Sequence, residues 1–422
     1  MEKHHDIFLV HRKIDKTNLE PIPAGYFEYF FTSFDFFVLV PFRLRRSNYN
    51  LITYKKNVLH QFLCAVLLFA SLVCNGPIFL EAITANVYDD PIRVFSVELK
   101  TVQLLNSFVF FNVCWRKTEE LIYFANLSSS NFLCGNEQKI VYAFISLYPL
   151  LLDLVLIDQF WSYVSFPDED HWYMYVYEIA TQTIGFLGSI LLTNFLDTYI
   201  TVLALSGYNI VRKSVGSLEQ LKRLDVARKQ WKHGDFSCLI DIAERLQHFF
   251  ATLNSLGSSI ILNWFCMCVP WVSRKLVDSM PGTGADLVGE SMLTSLTKIN
   301  KNVIGQMYYW SFIGLYLVIM IICAEIRKEC ENIKRESKRI ILKYDPELTM
   351  GKAALFTIQH ALENVGINGG FFFNFSYSFL GSTAGLVVAY SFLALQLRLN
   401  CCSSTNMRIG EVLKVQNNTY VQ

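Results

Sequence analysis

Long apolar segments that alternate with basic segments are the feature that most constrains this chain. A helix needs about 20 predominantly apolar residues to cross the hydrocarbon core of a bilayer. Seven segments approach or exceed this length: 58–83, 92–115, 140–165, 173–205, 253–272, 306–324 and a seventh within 364–397. Of the 422 residues, 52% are hydrophobic and 17% charged, whereas soluble proteins carry about 25% charged residues. The sequence therefore predicts an all-α membrane protein with seven transmembrane helices.

The last apolar segment, 364–397, is too long for one crossing. It holds 34 uncharged residues, which would form a straight helix of roughly 50 Å. Three glycines, Gly366, Gly369 and Gly370, lie near its start, and glycine weakens a helix. We expect a helix break there, with the seventh crossing beginning near Phe379.

The distribution of Lys and Arg predicts the orientation. The N-terminal region and the second, fourth and sixth connections carry 28 of the 37 basic residues. The other connections and the C-terminal tail carry 8, counting Arg93 at the edge of the second span, and Lys100 lies within that span. Because basic residues accumulate on the cytoplasmic side, we expect a cytoplasmic N-terminus and, after seven crossings, an extracellular C-terminus. This orientation is opposite to that of a G-protein-coupled receptor.

Two long connections carry apolar residues at helical spacing among mixed charges, so helices 4 to 6 are predicted to extend into the cytoplasm. The aromatic segment 26–42 is too short and too charged to cross. It predicts an interfacial helix or a helix packed beneath the bundle. Four regions follow: 1–57, cytoplasmic; 58–325, helices 1 to 6 with an outer ligand pocket; 326–397, a cytoplasmic anchor helix and a pore-lining helix 7; and 398–422, an extracellular tail.

Enzymatic motifs do not occur in the sequence. It has no GxSxG, HExxH, phosphate-binding or dinucleotide-binding pattern. Its 11 cysteines lie mostly inside apolar segments, without the paired spacing of a metal site. The sequence thus predicts no enzyme, no cofactor, no metal site and no nucleic-acid partner.

Polar and aromatic residues within the apolar segments are the candidate functional residues, because burying polar groups in lipid is costly. With the predicted orientation, several could converge on a pocket open to the exterior. Their carboxylates, amides and rings suit a polyhydroxylated ligand. The alternative is hydrogen bonding between helices together with an aromatic belt at the membrane surface. The candidate ligand-binding residues are Asp158, Trp161, Glu178, Gln182, Asn263, Trp264, Gln306, Tyr309 and Trp310.

The seventh helix carries a stripe of residues at steps of three and four. The stripe comprises Ser382, Gly385, Ala389, Phe392 and Gln396. It would suit a narrow water-filled pore in which Phe392 forms a constriction and Gln396 a polar ring. From periodicity alone, a packing face of small residues is the favoured interpretation. Tyr390 lies about 120° around the helix from Gln396, so we expect it to pack against neighbouring spans.

The C-terminal segment resembles the end of insect gustatory receptors. The signature of that family is Thr-Tyr, five hydrophobic residues and Gln-Phe; here Ala389-Tyr390 precedes SFLAL and Gln396-Leu397. The segment 194–205 also resembles the end of the fourth span in the sugar class. At Ser391 the sugar class usually has an acidic residue.

The resemblance implies a plasma-membrane, multi-pass chemoreceptor that is a tetrameric ligand-gated cation channel. Related subunits would form homo- or heterotetramers, embedded in lipid, with the outer parts of spans one to six holding a small-molecule tastant. The seventh helices would line a central pore at Ala389, Phe392 and Gln396. We expect a sugar ligand; the alternatives are a bitter or other non-sugar tastant, or a G-protein-coupled receptor.

Overall fold

The structure is a computed structural model, and it describes part of the chain. The longer described stretches are 172–228, 233–278, 292–344, 351–370 and 372–393. The shorter ones are 25–33, 41–46, 52–56, 58–59, 61–66, 68–69, 108–130, 141–145, 395–396 and the single residues 73, 105, 139 and 147. For several of these residues, including 172–194 and 292–309, only the backbone is described. Much of the first three predicted spans lies outside the described residues.

The described part of the chain is mostly helical. Its helices are α1 (Tyr26–Ser33), α2 (Thr118–Ser130), α3 (Trp172–Arg228), α4 (His233–Asp278), α5 (Met292–Tyr344), α6 (Gly351–Glu363) and α7 (Tyr377–Leu393). Two short antiparallel hairpins complete it: β1 (Phe42–Arg46) with β2 (Ile52–Lys56), and β3 (Asn368–Gly369) with β4 (Phe373–Asn374). Residues 61–66, 108–116 and 141–145, which belong to the first three predicted spans, are also helical.

Three helices are far longer than a bilayer requires. Helices α3, α4 and α5 hold 57, 46 and 53 residues, so each is roughly 70–85 Å long at 1.5 Å per residue. Within the described residues, Phe236–Ser273 of α4 and Trp310–Tyr344 of α5 each contain a stretch of 18 residues that is apolar enough to cross a membrane. The 17-residue α7 is apolar but shorter. The count of seven crossings and the orientation stay predictions.

The core joins the long helices to the N-terminal helix through aromatic rings. Phe27 and Phe30 of α1 are almost fully buried. Their ring centroids lie 5.0 Å from Phe124 of α2 and 4.6 Å from Phe195 of α3, respectively. Each such pair adds about 0.5–1.5 kcal/mol beyond the burial of its apolar surface. The aromatic face of α1 is therefore buried in protein, as in the packed-helix alternative.

The β1–β2 hairpin departs from the prediction of an all-α protein. The predicted aromatic helix ends at Ser33, and β1 begins directly after Pro41. Proline fixes the backbone angle φ and lacks an N–H, so it favours the start of a strand. The backbone of Ile52 is held by the Asn126 amide of α2, with N···O distances of 2.8 and 2.9 Å. This tertiary contact is not visible in local periodicity.

Candidate functional site

The break before α7 lies where the three glycines predict it. It belongs to residues 351–376, which comprise α6 and the β3–β4 hairpin and which we call the anchor segment. Gly366 and Gly370 have φ angles of +145° and +62°, which side chains other than glycine rarely adopt. The Asn254 amide of α4 donates to the carbonyl of Gly366 at 2.9 Å and accepts from the N–H of Asn368 at 3.0 Å. The Asn254 side chain thus takes the place of a neighbouring strand and fixes the anchor segment to α4.

Arg327 of α5 holds the end of α6. Its guanidinium donates to the carbonyl oxygens of Glu363 at 3.0 Å and Val365 at 2.7 Å. A helix leaves its last four carbonyls without partners inside the helix, and a cation there is favoured by the helix dipole. Arg327 therefore couples the position of α5 to that of the anchor segment.

A second polar contact links α5 to the start of α7. The Tyr377 hydroxyl donates to the Glu325 carboxylate, which also accepts from Lys328 at 2.8 Å. The hydrogen bonds from Lys328 and then from Tyr377 lower the pKa of Glu325 below its ordinary value. The Glu325 carboxylate therefore ties the first turn of α7 to α5.

Helix α7 packs against α4 along one face and leaves the other face open. The hydroxyl of Ser273 in α4 donates to the carbonyl of Val387 at 3.1 Å, and Ser391 donates to the carbonyl of Ser273 at 3.4 Å. Thr383 and Ser391 are buried. The predicted pore stripe lies on the open side, since Ser382, Gly385, Ala389, Phe392 and Gln396 are all exposed.

The open face is unusually apolar. Phe392 is 63% exposed, and Val388 and Leu393 are about half exposed. A Cβ added at Gly385 would meet no atom within 4 Å. Nothing within the described chain therefore requires a small residue at this position.

Deeper in the bundle, a buried hydrogen bond joins α3 to α4. The Trp264 indole donates to Asp197 Oδ1 at 2.7 Å, and both side chains are 1% exposed. The second oxygen of Asp197 and the hydroxyl of Tyr316 have no partner among the described residues. The Tyr316 ring lies 5.2 Å from the Trp264 ring. An apolar gap too small to hold a water molecule lies between Trp264 and residues Ile367 and Phe375 of the anchor segment.

The structure does not bring all the predicted ligand-binding residues together. Asp197, the partner of Trp264, lies 19 residues after Glu178 on the continuous helix α3, a distance of about 28 Å along the axis. Trp264 thus belongs to the deeper cluster with Asp197, far along α3 from Glu178. Asn263 is half-buried, and Trp310 is 52% exposed.

The remaining predicted residues are placed only in part. Glu178 and Gln182 lie in α3, and Gln306 and Tyr309 lie in α5, where only the backbone is described. Asp158 and Trp161 lie outside the described residues. Tyr390, predicted to pack, is 40% exposed in the single chain. Sequence patterns gave no signal for Asn254 or Arg327, whose partners are distant in the chain.

Comparisons with known proteins identify the fold. No family model and no curated protein matches the sequence. The structure is similar to that of the insect olfactory receptor OR5 from Machilis hrabei in complex with eugenol, with a TM-score of 0.52 and 14% identity, covering 88% of this chain and 98% of that chain. A second structure of OR5 gives a TM-score of 0.48 and 13% identity, covering 88% and 97%. By the first of these two structures, the chain shares the fold of this insect olfactory receptor over 88% of its own length.

Proposed function

We propose that the chain is a chemoreceptor subunit of the insect gustatory type that acts as a ligand-gated, non-selective cation channel. The observation that carries this proposal is the face of α7 with the predicted pore stripe. It is apolar, open along its length and anchored on its opposite side to α4. Such a face on a short apolar helix needs a partner, and the lining of a central pore by several copies provides one.

Assembly of four subunits is the second part of the proposal. Gly385 has open space around it in one chain, and small residues permit the close approach of helices from neighbouring copies. With four α7 helices around one axis, Ala389, Phe392 and Gln396 would face ions, and Tyr390 would contact adjacent helices. The N-terminus would be cytoplasmic, and the receptor would lie in the plasma membrane.

The ligand is proposed to bind in the outer part of the bundle, and a sugar is the first candidate. Glu178 and Gln182 precede Asp197 on α3, and Gln306 and Tyr309 begin the apolar part of α5. Carboxylates, amides and aromatic rings bind hydroxyl groups and the C–H faces of sugars. A small non-sugar tastant is the alternative, supported by the similar receptor structure in complex with eugenol.

The test is to express the full chain alone and record membrane currents against a panel of sugars and non-sugar tastants. We expect one class to evoke a cation current. Glu178→Gln and Gln182→Ala should then raise the concentration for half-maximal response roughly 10- to 100-fold, the effect of losing one hydrogen bond to a charged or polar ligand group. Glu244→Gln, an exposed carboxylate of α4, is the control and should leave the response unchanged.

Two results would contradict the proposal. A chain that reaches the cell surface and gives no current with any compound, alone or with related subunits, would contradict the channel function. Unchanged dose–response curves for both variants in α3 would move the ligand pocket to another part of the bundle.

A further inference from the structure

The segment of the first hairpin is rich in positive charge and carries no negative charge of its own. The segment 41–57 contains five basic residues and no Asp or Glu. The basic residues are Arg43, Arg45, Arg46, Lys55 and Lys56. Exposure to water alone does not require so many basic residues. The two faces of the hairpin also differ, because one is buried in the core and the other is exposed.

One face of the hairpin belongs to the protein core. Phe42 and Ile52 are 2% and 3% exposed, and Leu44 and Tyr54 are partly buried against the same core. Because side chains alternate between the faces of a strand, the residues between them face away from the core. Arg45, Thr53 and Lys55 are indeed exposed.

The strand register places the basic residues close together. Arg45 pairs with Thr53, and Lys55 lies diagonally across from Arg45 on the neighbouring strand. Diagonal neighbours on such a face are about 7–8 Å apart, a separation at which like charges repel each other. An anion bound from outside the hairpin would offset this repulsion.

The described part of the chain does not supply that anion. Glu28 of α1 is bound through both oxygens to Arg46, at 2.6 and 2.7 Å. This hydrogen bond raises the pKa of Arg46 and leaves Glu28 engaged. Neither Arg45 nor Lys55 forms an ion pair with any described residue.

The hairpin leads directly into the first apolar segment. Val58, Leu59 and Phe62 are 80%, 61% and 63% exposed, as expected of side chains that face lipid. Lys55 precedes Val58 by three residues, or about 10 Å of extended chain. This distance is about one Debye length at physiological ionic strength, so the exposed cations lie within electrostatic reach of lipid headgroups.

We propose that the outward face of the β1–β2 hairpin, formed at Arg45 and Lys55, binds the phosphates of anionic lipids, phosphoinositides above all, in the cytoplasmic leaflet. A juxtamembrane cluster of basic residues suits multiply charged headgroups. The choice of leaflet rests on the proposed function and its orientation. The binding face itself rests on the register, exposure and charge of the hairpin.

The test uses the purified full-length chain in detergent and a fluorescent, water-soluble dioctanoyl phosphatidylinositol 4,5-bisphosphate as the probe. We expect saturable binding that weakens as salt is raised. Arg45→Gln with Lys55→Gln should weaken binding roughly 20- to 30-fold, from the contribution of each basic residue near a membrane surface. The exchange Arg45→Lys with Lys55→Arg keeps both charges and should retain binding.

A matched control removes two positive charges from another part of the chain. Lys338 and Arg339 of α5 are both exposed and lie roughly 20 Å along the helix beyond Ala324. Lys338→Gln with Arg339→Gln should bind the probe like the unmodified chain. Each variant is first required to elute as the unmodified protein does in size exclusion, which excludes misfolding.

Three results would overturn the inference. Equal loss of binding in the variant that lacks Arg45 and Lys55 and in the variant that lacks Lys338 and Arg339 would show a general effect of net charge. Equal affinity for free inositol 1,4,5-trisphosphate would assign the face to a soluble anion, and displacement of the lipid by an acidic peptide at equal concentration would assign it to a protein partner. Because no current is measured, failure of the channel proposal leaves this result intact; an extracellular N-terminus would overturn only the assignment to the cytoplasmic leaflet.

Discussion

The hydrogen bond between Trp264 and Asp197 lies where water cannot replace it. Both side chains are fully buried, and one oxygen of Asp197 already lacks a described partner. A buried polar group that loses its partner retains its full desolvation cost. Breaking this bond therefore costs more free energy than breaking a hydrogen bond at the surface, and the bond stabilises the contact between α3 and α4.

We expect Trp264→Phe to lower the free energy of unfolding by about 1–3 kcal/mol, because Asp197 loses its described donor. Thermal unfolding of the detergent-purified full-length chain measures the effect. Trp310→Phe is the matched control: Trp310 is 52% exposed, so its replacement should stay within about 0.5 kcal/mol. Equal midpoints for the two variants would show that the bond does not stabilise the bundle.

At the scale of elements, the anchor segment depends on a few side chains from the long helices. Arg327 binds two carbonyls at the end of α6, and Asn254 binds the backbone on either side of Ile367. These bonds set the position from which α7 begins. Movement of α4 or α5 would therefore move the start of the proposed pore helix.

We expect Arg327→Gln to loosen the turn after α6, because a neutral amide cannot reproduce two charge-assisted bonds. Hydrogen exchange of amides in residues 364–370 should be faster in this variant. Arg335→Gln, on the exposed side of α5, should leave these amides unchanged. Identical exchange in both variants would mean that the Asn254 contacts suffice to hold the turn.

The exposed stripe of α7 gives the prediction for the pore. An amide ring offers donors and acceptors that replace part of a cation's hydration, and a ring of phenylalanines closes a pore by excluding water. We expect Gln396→Glu to raise cation selectivity, divalent permeation or divalent block. Phe392→Ala should raise the current without ligand.

Reversal potentials in exchanged ions measure the effect at Gln396, and Tyr390→Phe is the control that should leave selectivity unchanged. Tyr390 lies about 120° around the helix from Gln396, so it should affect folding or gating more than permeation. Gln396→Glu and Gln396→Ala channels that conduct with unchanged selectivity and block would make Gln396 a packing residue.

At the scale of the whole molecule, the long helices combine apolar stretches with charged sections. The apolar sections of α4 and α5 occupy only a portion of helices that are roughly 70–85 Å long. The remaining sections carry mixed charges, including the pair Lys222–Glu336 at 2.8 Å between α3 and α5. Their basic excess predicts that these sections lie in the cytoplasm.

We expect an epitope tag at Met1 to stain only in permeabilised cells, and a tag at Gln422 to stain intact cells. The physical reason is the retention of basic loops on the cytoplasmic side during insertion. The tag at Gln422 serves as the control for surface delivery. Staining of Met1 in intact cells would exclude the proposed orientation and with it the channel proposal.

Patterns that repeat locally could be predicted from the sequence alone. Apolar length predicted helices at α4, α5 and α7, and mixed charges at helical spacing predicted their extensions. Gly366, Gly369 and Gly370 predicted the break before Tyr377, because their effect on the backbone is local. The exposed stripe from Ser382 to Gln396 was visible for the same reason: a helix repeats every 3.6 residues.

Only the tertiary structure decided which polar residues meet. Trp264 finds Asp197 across 67 residues, Asn254 finds Gly366 across 112, and Arg327 finds the end of α6 across 36 and 38. Residues so far apart leave no periodic signal, since their partners depend on how helices are placed against one another. The same holds for the hairpin at Phe42–Lys56, whose place is set by Asn126 and by the burial of Phe42 and Ile52.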